Sequence, residues 1–531
     1  MIVKVIGMFY KIPLNAFIGE QGFTYFTAAY DIYTVLLVIS TTGLPVAMSR
    51  MVSEAYTLGN GRQMQRIFRT ALMAYMTIGL LGTGTMMILP NVLANMMGTP
   101  KASYSIFALG PAVIFICFAS AGRGYFQGQG NMKPTAFSQI IEAAGKLFLG
   151  LSLAYFVMQW TGSEALASGA TIAGISVGAG LSALFIFIKH RRNKKEIDDC
   201  GEVLSYKQTA KKLLSIAVPI TIGAAGLQLI NLLDSITVVR RLVSAAEGDG
   251  VIMNQLMDIA RANPSDQSLA QDAAEIGKGI YSFCQTIFNF PTAFIPCITA
   301  AIIPAITANL TRKDKKGVKQ VQDSSMRVMA LIASPCAVGL FVMAEPIMSL
   351  LGGYEGDKLT IAALLLALLA PTVLINSITN MTTAIMQAHN HMVLPVINTL
   401  IGGVLKVIVN FILVGNPDIG ILGAPIGTFV CFLVIMTLNV ICMRRVLDEP
   451  PKLLRTLWRS SLAAVVMGVV AFFAYKLLWS LLASYALCCL GAIAIAAVVY
   501  LLLVILLKAL TYEDCLLLPK GEKIAKILSI H

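Results

Sequence analysis

Hydrophobic and polar positions alternate in long blocks along the chain. Apolar stretches of about 20 residues, the length that crosses a bilayer as a helix, recur almost from end to end. Lipid leaves an open sheet edge without hydrogen bonds, so we predict an all-α polytopic membrane protein. The expected spans number about fourteen and begin near residues 1, 24, 70, 104, 133, 165, 212, 278, 326, 359, 392, 420, 456 and 483.

The polar segments between these blocks differ in charge. Every second segment is rich in Lys and Arg, namely 62–69, 191–212, 312–319 and 444–455, whereas the long segment 247–275 holds more acidic than basic residues. Cytoplasmic loops of membrane proteins carry such a basic excess. We therefore expect a multi-pass protein of the cell membrane with both termini in the cytoplasm.

Composition agrees with this picture, since 57% of the residues are apolar and 13% are charged. The net charge of +13 resides mainly in the short basic loops, so it does not indicate a nucleic-acid partner. The ten cysteines form no CxxC pair, and no GxxxxGK[ST] motif is present. We expect neither an enzyme nor a bound metal or cofactor, and we interpret His389 and His391 as polar residues of a cytoplasmic turn.

An internal repeat connects the two halves of the chain. Its register suggests two six-span lobes in the same orientation, related by a pseudo-twofold axis along the membrane normal. The expected domains are an N-terminal lobe at 1–195, a C-terminal lobe at 208–447, and two extra spans with a cytoplasmic tail at 453–531. At a shift of 260 residues the matches are Pro111 with Pro371, Gln127 with Gln387, Met132 with Met392, Ile141 with Ile401, and Lys146 with Lys406; at shifts of 258 to 259 they are Pro45 with Pro304 and Arg69 with Arg327.

Ionisable residues interrupt several of the apolar stretches. A charge at the bilayer centre costs at least about 2.5 kcal/mol on insertion scales, so such residues usually face a cavity and have a function. Lys146 and Lys406 fall near the middle of equivalent spans. The complete set of intramembrane charges is Lys11, Asp31, Glu142, Lys146, Asp234 and Lys406.

Each of these charges also has a structural interpretation. Lys146 has Glu142 one helical turn before it, which suits an ion pair. Lys406 has no carboxylate in its own span, so it faces an anion, reaches towards the interface or pairs with another helix. Asp234 suits a hydrogen-bonded structural acid as well as a site for a coupling proton.

Two arginine positions lie nearer the membrane boundary. Arg50 and Glu54 are four residues apart towards the cytoplasmic end of the second span, which suits a simple interfacial pair. Arg240 and Arg241 end the seventh span on the outer side, where extension of the side chains to the interface explains them.

Three segments resemble a known group of proteins. Residues 43–54 (GLPVAMSRMVSE), 122–136 (GRGYFQGQGNMKPTA) and 512–523 (YEDCLLLPKGEK) look like the stage V sporulation protein B branch of polysaccharide biosynthesis proteins. That branch is related to the lipid II flippases within the multidrug/oligosaccharidyl-lipid/polysaccharide exporter superfamily.

The resemblance implies two six-helix bundles, alternating access, and export of an undecaprenyl-diphosphate-linked saccharide. The partners would be this lipid-linked saccharide, membrane lipids and cell-wall synthesis enzymes. In the lipid II flippases, cations of the first, second and eighth spans line the cavity; Lys11 and Arg50 match the first two, whereas Gln285 and Thr286 stand where the third is expected. These relatives also have more residues before the first span, so we expect an in-frame extension upstream of Met1. The candidate site residues are Lys11, Arg50, Arg123, Lys146 and Lys406 for substrate, and Asp31 and Asp234 for ion coupling.

Two other functions remain open. A drug/cation antiporter of the same superfamily would bind cations through Asp31 and Asp234, but the mid-span lysines argue against it. A non-transporting scaffold for wall-synthesis enzymes would leave Lys406 unexplained.

Overall fold

The computed structural model describes residue 7 and residues 10–192, 203–262, 265–447, 449–482 and 484–510. Within these ranges every regular element is a helix, so the all-α fold class is confirmed. The tail motif at 512–523 and the beginning of the first expected span lie outside the described residues.

The helices of the N-terminal half are numbered in chain order. Residues Lys146–Gly150 form a π-helical turn between α6 and α7. The helices are α1 (Lys11–Thr41), α2 (Gly43–Thr57), α3 (Gly61–Ile88), α4 (Pro90–Met97), α5 (Ser103–Gly128), α6 (Lys133–Gly145), α7 (Leu151–Thr161), α8 (Glu164–Arg192) and α9 (Tyr206–Ala245).

The C-terminal half continues in the same way. Its helices are α10 (Val251–Ala262), α11 (Leu269–Thr292), α12 (Ile295–Thr311), α13 (Lys315–Val342), α14 (Ala344–Gly352), α15 (Gly356–Ala388), α16 (Val393–Leu413), α17 (Gly423–Val446), α18 (Leu453–Leu482) and α19 (Tyr485–Leu506).

Eleven spans in the described part of the chain are long and apolar enough to cross a bilayer. The chain is therefore a multi-pass membrane protein, although the expected count of fourteen is not confirmed. The first two expected spans run together as Lys11–Thr57, which is counted once. Helices α9 and α11 lie where the seventh and eighth spans were expected but are not among the eleven.

The described residues divide into two compact units. The first unit comprises residues 2–243 and 264–279, and the second comprises 244–263 and 280–531. In the first unit, α5 packs along α3 and α8, around fully buried side chains such as Phe23, Phe26 and Phe126. In the second unit, α13 packs against α15 and α18, and α16 packs against α17.

Helix boundaries repeat between the two units. The turn that follows α5 places Gly130 at φ 74°, and the turn after α15 places Asn390, 260 residues later, at φ 65°. Helices α6 and α16 then begin at Lys133 and Val393, again 260 residues apart. Lys146, which opens the π-helical turn after α6, lies thirteen residues after Lys133, and Lys406 of α16 lies thirteen residues after Val393.

A different register applies to α3 and α13. Both helices have 28 residues, and their capping residues Asn60 and Asp314 are 254 positions apart. Each cap side chain accepts a hydrogen bond from the backbone N–H three residues later. At this shift Arg69 matches Asp323, four residues before its expected partner Arg327, so that match is wrong. The shift grows to 260 within α15, which is longer than α5.

Candidate functional site

A break at Gly19 divides α1 into two helical segments, each of which carries a charged residue. Within the helix, the backbone of Gly19 has φ 68° and ψ −179°, a conformation that residues other than glycine rarely adopt. The carboxylate of Glu164, the first residue of α8, lies against this break and accepts a hydrogen bond from the Gly22 backbone N–H at 2.7 Å. Lys11 belongs to the segment before the break and Asp31 to the segment after it.

Asp31 is the centre of one group of charges. Its carboxylate accepts a hydrogen bond from the Ser235 hydroxyl of α9 and is attracted by Lys278 of α11 and by Lys11. Asp234 of α9 is a second, repelling carboxylate near it. Asp234 and Lys278 are each only 6% exposed, so the protein rather than bulk water stabilises these charges.

Glu142 of α6 is the centre of a second group. One of its oxygens lies 3.0 Å from Nη2 of Arg123 in α5, and the other lies 3.1 Å from Nζ of Lys146. Arg123 also donates to the Ser138 hydroxyl at 2.8 Å and to the Ser182 hydroxyl at 3.0 Å. Partners on two helices, α6 and α8, therefore hold the guanidinium and limit its rotation.

Tyr30 connects the two groups. The Nζ atom of Lys146 lies 6.0 Å from the centre of the Tyr30 ring, within the range of a cation–π contact. Lys146 also interacts electrostatically with the Tyr30 side chain and repels Lys11. We call the connected set the charged cluster; its four cations are Lys11, Arg123, Lys146 and Lys278, and its three carboxylates are Asp31, Glu142 and Asp234.

A layer of buried hydrogen bonds holds α11 against α1 beside the charged cluster. Glu275 has no exposed surface, and it accepts hydrogen bonds from the Tyr25 hydroxyl at 2.5 Å and from the amides of Gln267 and Gln271. Lys278 follows Glu275 by three residues and so lies on the same helix face. The layer therefore fixes the position of Lys278.

Five of the predicted site residues come together in the charged cluster, namely Lys11, Asp31, Arg123, Lys146 and Asp234. Arg50 does not. Its side chain is 69% exposed and lies 3.6 Å from Glu54, which also binds Lys212 at 2.7 Å. The geometry of Arg50 is that of the interfacial pair. Lys406 belongs to the second unit, where it lies half-buried on α16.

The sequence analysis missed Lys278, Tyr30 and Ser235. The eighth span was expected to begin near residue 278, which placed Lys278 at the membrane boundary. Helix α11 begins at Leu269, because Asp272 and Glu275 are buried in hydrogen bonds rather than exposed in a loop. If acidic residues are counted as possible buried positions, the helical periodicity extends back to Leu269 and places Lys278 inside the helix.

Comparisons with known proteins agree with this architecture. The family model described as polysaccharide biosynthesis protein matches residues 1–310, and the model described as lipid II flippase MurJ matches residues 252–507. The first of these models covers more than half of the chain, so the chain belongs to the polysaccharide biosynthesis protein family.

Individual relatives cover most of the chain. Stage V sporulation protein B of Bacillus subtilis is 25% identical over 98% of this chain and 95% of its own length. Lipid II flippase MurJ of Bacillus subtilis is 24% identical over 80% of this chain and 78% of its own.

Two solved structures share the fold. The lipid II flippase MurJ in an inward closed conformation gives a TM-score of 0.68 at 13% identity, over 94% of this chain and 96% of that one. An inward-facing multidrug resistance MATE family transporter gives 0.65 at 15% identity, over 82% and 93%.

Proposed function

We propose that this protein is a flippase that exports an undecaprenyl-diphosphate-linked saccharide across the cytoplasmic membrane by alternating access. The observation that carries the proposal is the charged cluster, in which four cations and three carboxylates lie together on helices of the first unit. Family membership and the similarity to lipid II flippases support it.

The chemistry of the cluster suits a diphosphate headgroup. A diphosphate that enters a membrane protein loses its water shell, and Lys or Arg side chains replace that shell with charge-assisted hydrogen bonds. In the absence of substrate, Asp31 and Glu142 neutralise their neighbouring cations, which lowers the cost of keeping them in the membrane. When the headgroup binds, its phosphates compete with these carboxylates for Lys11, Lys146 and Lys278.

The membrane potential supplies a driving force for such a substrate. Moving one negative charge outward across an inside-negative membrane is favourable by about 2.3 kcal/mol per 100 mV. Asp31 and Asp234 offer a second route, in which a proton or metal cation binds between two adjacent carboxylates and is exchanged for substrate.

The proposal includes a topology and partners. Both termini lie in the cytoplasm, the two lobes are 1–195 and 208–447, and 453–531 provide two extra spans and a cytoplasmic tail. Lys406 of the second lobe provides a further cation for the headgroup, and Arg50 provides one at the cytoplasmic entrance. Wall-synthesis enzymes on either side of the membrane supply and consume the lipid-linked saccharide.

A drug/cation antiporter is the second candidate function, favoured by one observation. Asp31 and Asp234 are close enough to repel each other, and a pair of carboxylates is a suitable site for a cationic drug or a proton. The cations around them favour the flippase, because Lys278 and Lys11 attract Asp31 and would repel a cationic drug.

Proteoliposomes distinguish the two functions. A fluorescent undecaprenyl-diphosphate saccharide is reconstituted with the purified protein, and the fraction accessible to an external reductant is followed over time. A flippase makes the inner-leaflet label accessible faster than protein-free vesicles do. An antiporter instead extrudes ethidium when a proton gradient is imposed, and it leaves the lipid accessibility unchanged; that outcome would reject the flippase.

A further inference from the structure

The second unit contains a cavity outside the charged cluster. It has a volume of about 370 Å³ and lies where the end of α12, the start of α13 and the end of α15 meet the residues after α17. Its polar lining includes Asn309, Lys313, Lys315, Gln322, His389 and Glu449. The basic loop 312–319 belongs to this end of the unit, so the sequence pattern assigns the cavity to the cytoplasmic side.

Gln322 brings a buried amide to the wall of the cavity. The side chain is 1% exposed, and one end of its amide contacts Nε2 of His389 at 2.9 Å. The other end, Oε1, finds no hydrogen-bond partner in the described part of the chain. Whichever way the amide is turned, His389 contacts only one of its two polar atoms. A buried polar atom without a partner is costly, and such atoms are uncommon in native proteins.

The internal repeat provides a comparison for this cavity. At the shift of 254 residues, Gln322 of α13 corresponds to Phe68 of α3. In the first unit, the Phe68 ring stacks on His190 with centroids 4.1 Å apart, and Tyr125 meets Phe68 edge-on at 5.3 Å. The first unit thus fills this place with aromatic rings, whereas the second unit has a polar amide beside open space.

The charges at the rim favour an anionic ligand. Both acidic groups are engaged within the protein: Asp314 accepts from the Gly317 N–H at 3.0 Å, and Glu449 lies 2.9 Å from Lys319. Lys313 and Lys315 also line the cavity, on either side of Asp314, whose carboxylate already caps the N-terminus of α13. The two ammonium groups are the part of the lining that suits a phosphate.

The apolar part of the lining and the volume of the cavity limit the size and polarity of the rest of the ligand. Leu310, Val318, Val446 and Leu447 line the cavity with apolar surface, and its volume is at the lower end of the range of about 300 to 1,000 Å³ for small-molecule sites. We propose that the cavity binds a small phosphate-bearing molecule, with its phosphate on the lysines and a hydrogen-bonding end at Gln322 and His389. A soluble mononucleotide and the glycerophosphate headgroup of an anionic lipid share this chemistry.

The test uses the full-length protein in nanodiscs of zwitterionic lipid. Equilibrium dialysis measures binding of radiolabelled uridine monophosphate, with inorganic phosphate as competitor. A parallel arm titrates phosphatidylglycerol into the nanodiscs and follows the thermal midpoint. We expect saturable binding or stabilisation in at least one arm, and the arm that responds identifies the source of the phosphate.

Matched variants connect that signal to the cavity. Gln322→Phe copies the first unit and should abolish binding, and Gln322→Leu should weaken it about tenfold through the lost hydrogen bond. Lys315→Ala should weaken binding about fivefold to tenfold, whereas Lys316→Ala, which removes the same charge next to the lining, should leave it nearly unchanged. The unfolding midpoint of each variant verifies that it is folded.

Two results would overturn the proposal. One is wild-type protein that responds to neither uridine monophosphate nor phosphatidylglycerol. The other is a response that persists unchanged in folded Gln322→Phe and Lys315→Ala protein. Neither result depends on whether the protein flips lipids.

Discussion

Two carboxylates of the first unit each bind two cations, but in different surroundings. Glu142 lies between Arg123 and Lys146, with side chains that are 12% to 24% exposed. Glu54 lies between Arg50 and Lys212, with side chains that are 45% to 69% exposed. Solvent screens surface ion pairs and scarcely reaches buried ones. The ion pairs of Glu142 should therefore contribute much more to the free energy of unfolding than those of Glu54.

Glu142→Gln should therefore destabilise the protein strongly. The substitution keeps the size of the side chain but leaves Arg123 and Lys146 as uncompensated, mostly buried cations, which costs about 3 kcal/mol. Glu54→Gln is the matched control and should cost less than about 1 kcal/mol. Thermal unfolding in detergent provides the comparison, and equal shifts of the two midpoints would contradict the assigned role of Glu142.

Lys406 allows a test of substrate contact in the second unit. If it binds the diphosphate, Lys406→Ala should reduce transport at least about tenfold while the protein still inserts and folds, because one charge-assisted contact is lost. Lys406→Arg should retain more transport than Lys406→Gln, since it keeps the cation. Normal transport by Lys406→Ala would exclude the substrate role, and loss of expression would indicate a structural ion pair.

At the scale of helices, the break in α1 depends on one glycine. A Cβ atom at Gly19 would lie 2.5 Å from Oε1 of Glu164, and the backbone φ is 68°. Gly19→Ala should therefore cost about 2 kcal/mol or more, from backbone strain and from loss of the Glu164 hydrogen bond to Gly22.

Gly162 provides the matched control for this substitution. Its φ is 63°, and a Cβ atom there would meet nothing within 4 Å. Gly162→Ala should cost only the backbone term, about 1 kcal/mol. If chemical denaturation of the two variants gives the same loss of stability, the contact with Glu164 does not hold the break in α1.

The sequence predicted helices best where a polar turn separates apolar runs. The fifth and eleventh spans were expected near 133 and 392, and α6 and α16 begin at Lys133 and Val393. The start of α11 was wrong because Asp272 and Glu275 resemble loop residues until their buried partners are known. The register of Arg69 and Arg327 was wrong because the repeat changes its shift within α15, which one uniform offset does not reveal.

At the scale of the whole molecule, composition and hydropathy determined the fold class, because only helices satisfy the backbone in lipid over such lengths. Most residues of the charged cluster were also predictable, because an ionisable residue inside an apolar stretch can be identified from the sequence alone. Its pairing was not, because the partnership of Asp31 with Lys278 joins helices 247 residues apart in the chain. The exposure of Arg50 was not predictable either, because sequence position alone does not distinguish a buried cation from an exposed one.

The membrane potential should influence the transport rate. If the headgroup crosses with net negative charge, an inside-negative potential of 100 mV favours outward movement by about 2.3 kcal/mol per charge. Proteoliposomes with a potassium gradient and valinomycin should flip the lipid faster when the potential is inside-negative than when it is inside-positive. A rate that does not depend on the sign of the potential would show that no net charge moves in the limiting step.

The most direct test of the central claim measures flipping by variants of the charged cluster. Lys11→Gln and Lys278→Gln should each reduce flipping of an undecaprenyl-diphosphate saccharide at least about tenfold, because each removes a charge-assisted contact. Lys212→Gln, which removes an exposed lysine of the first unit, should flip the lipid at nearly the wild-type rate. If the folded Lys11 and Lys278 variants flip the diphosphate lipid as fast as Lys212→Gln, the charged cluster does not bind the headgroup.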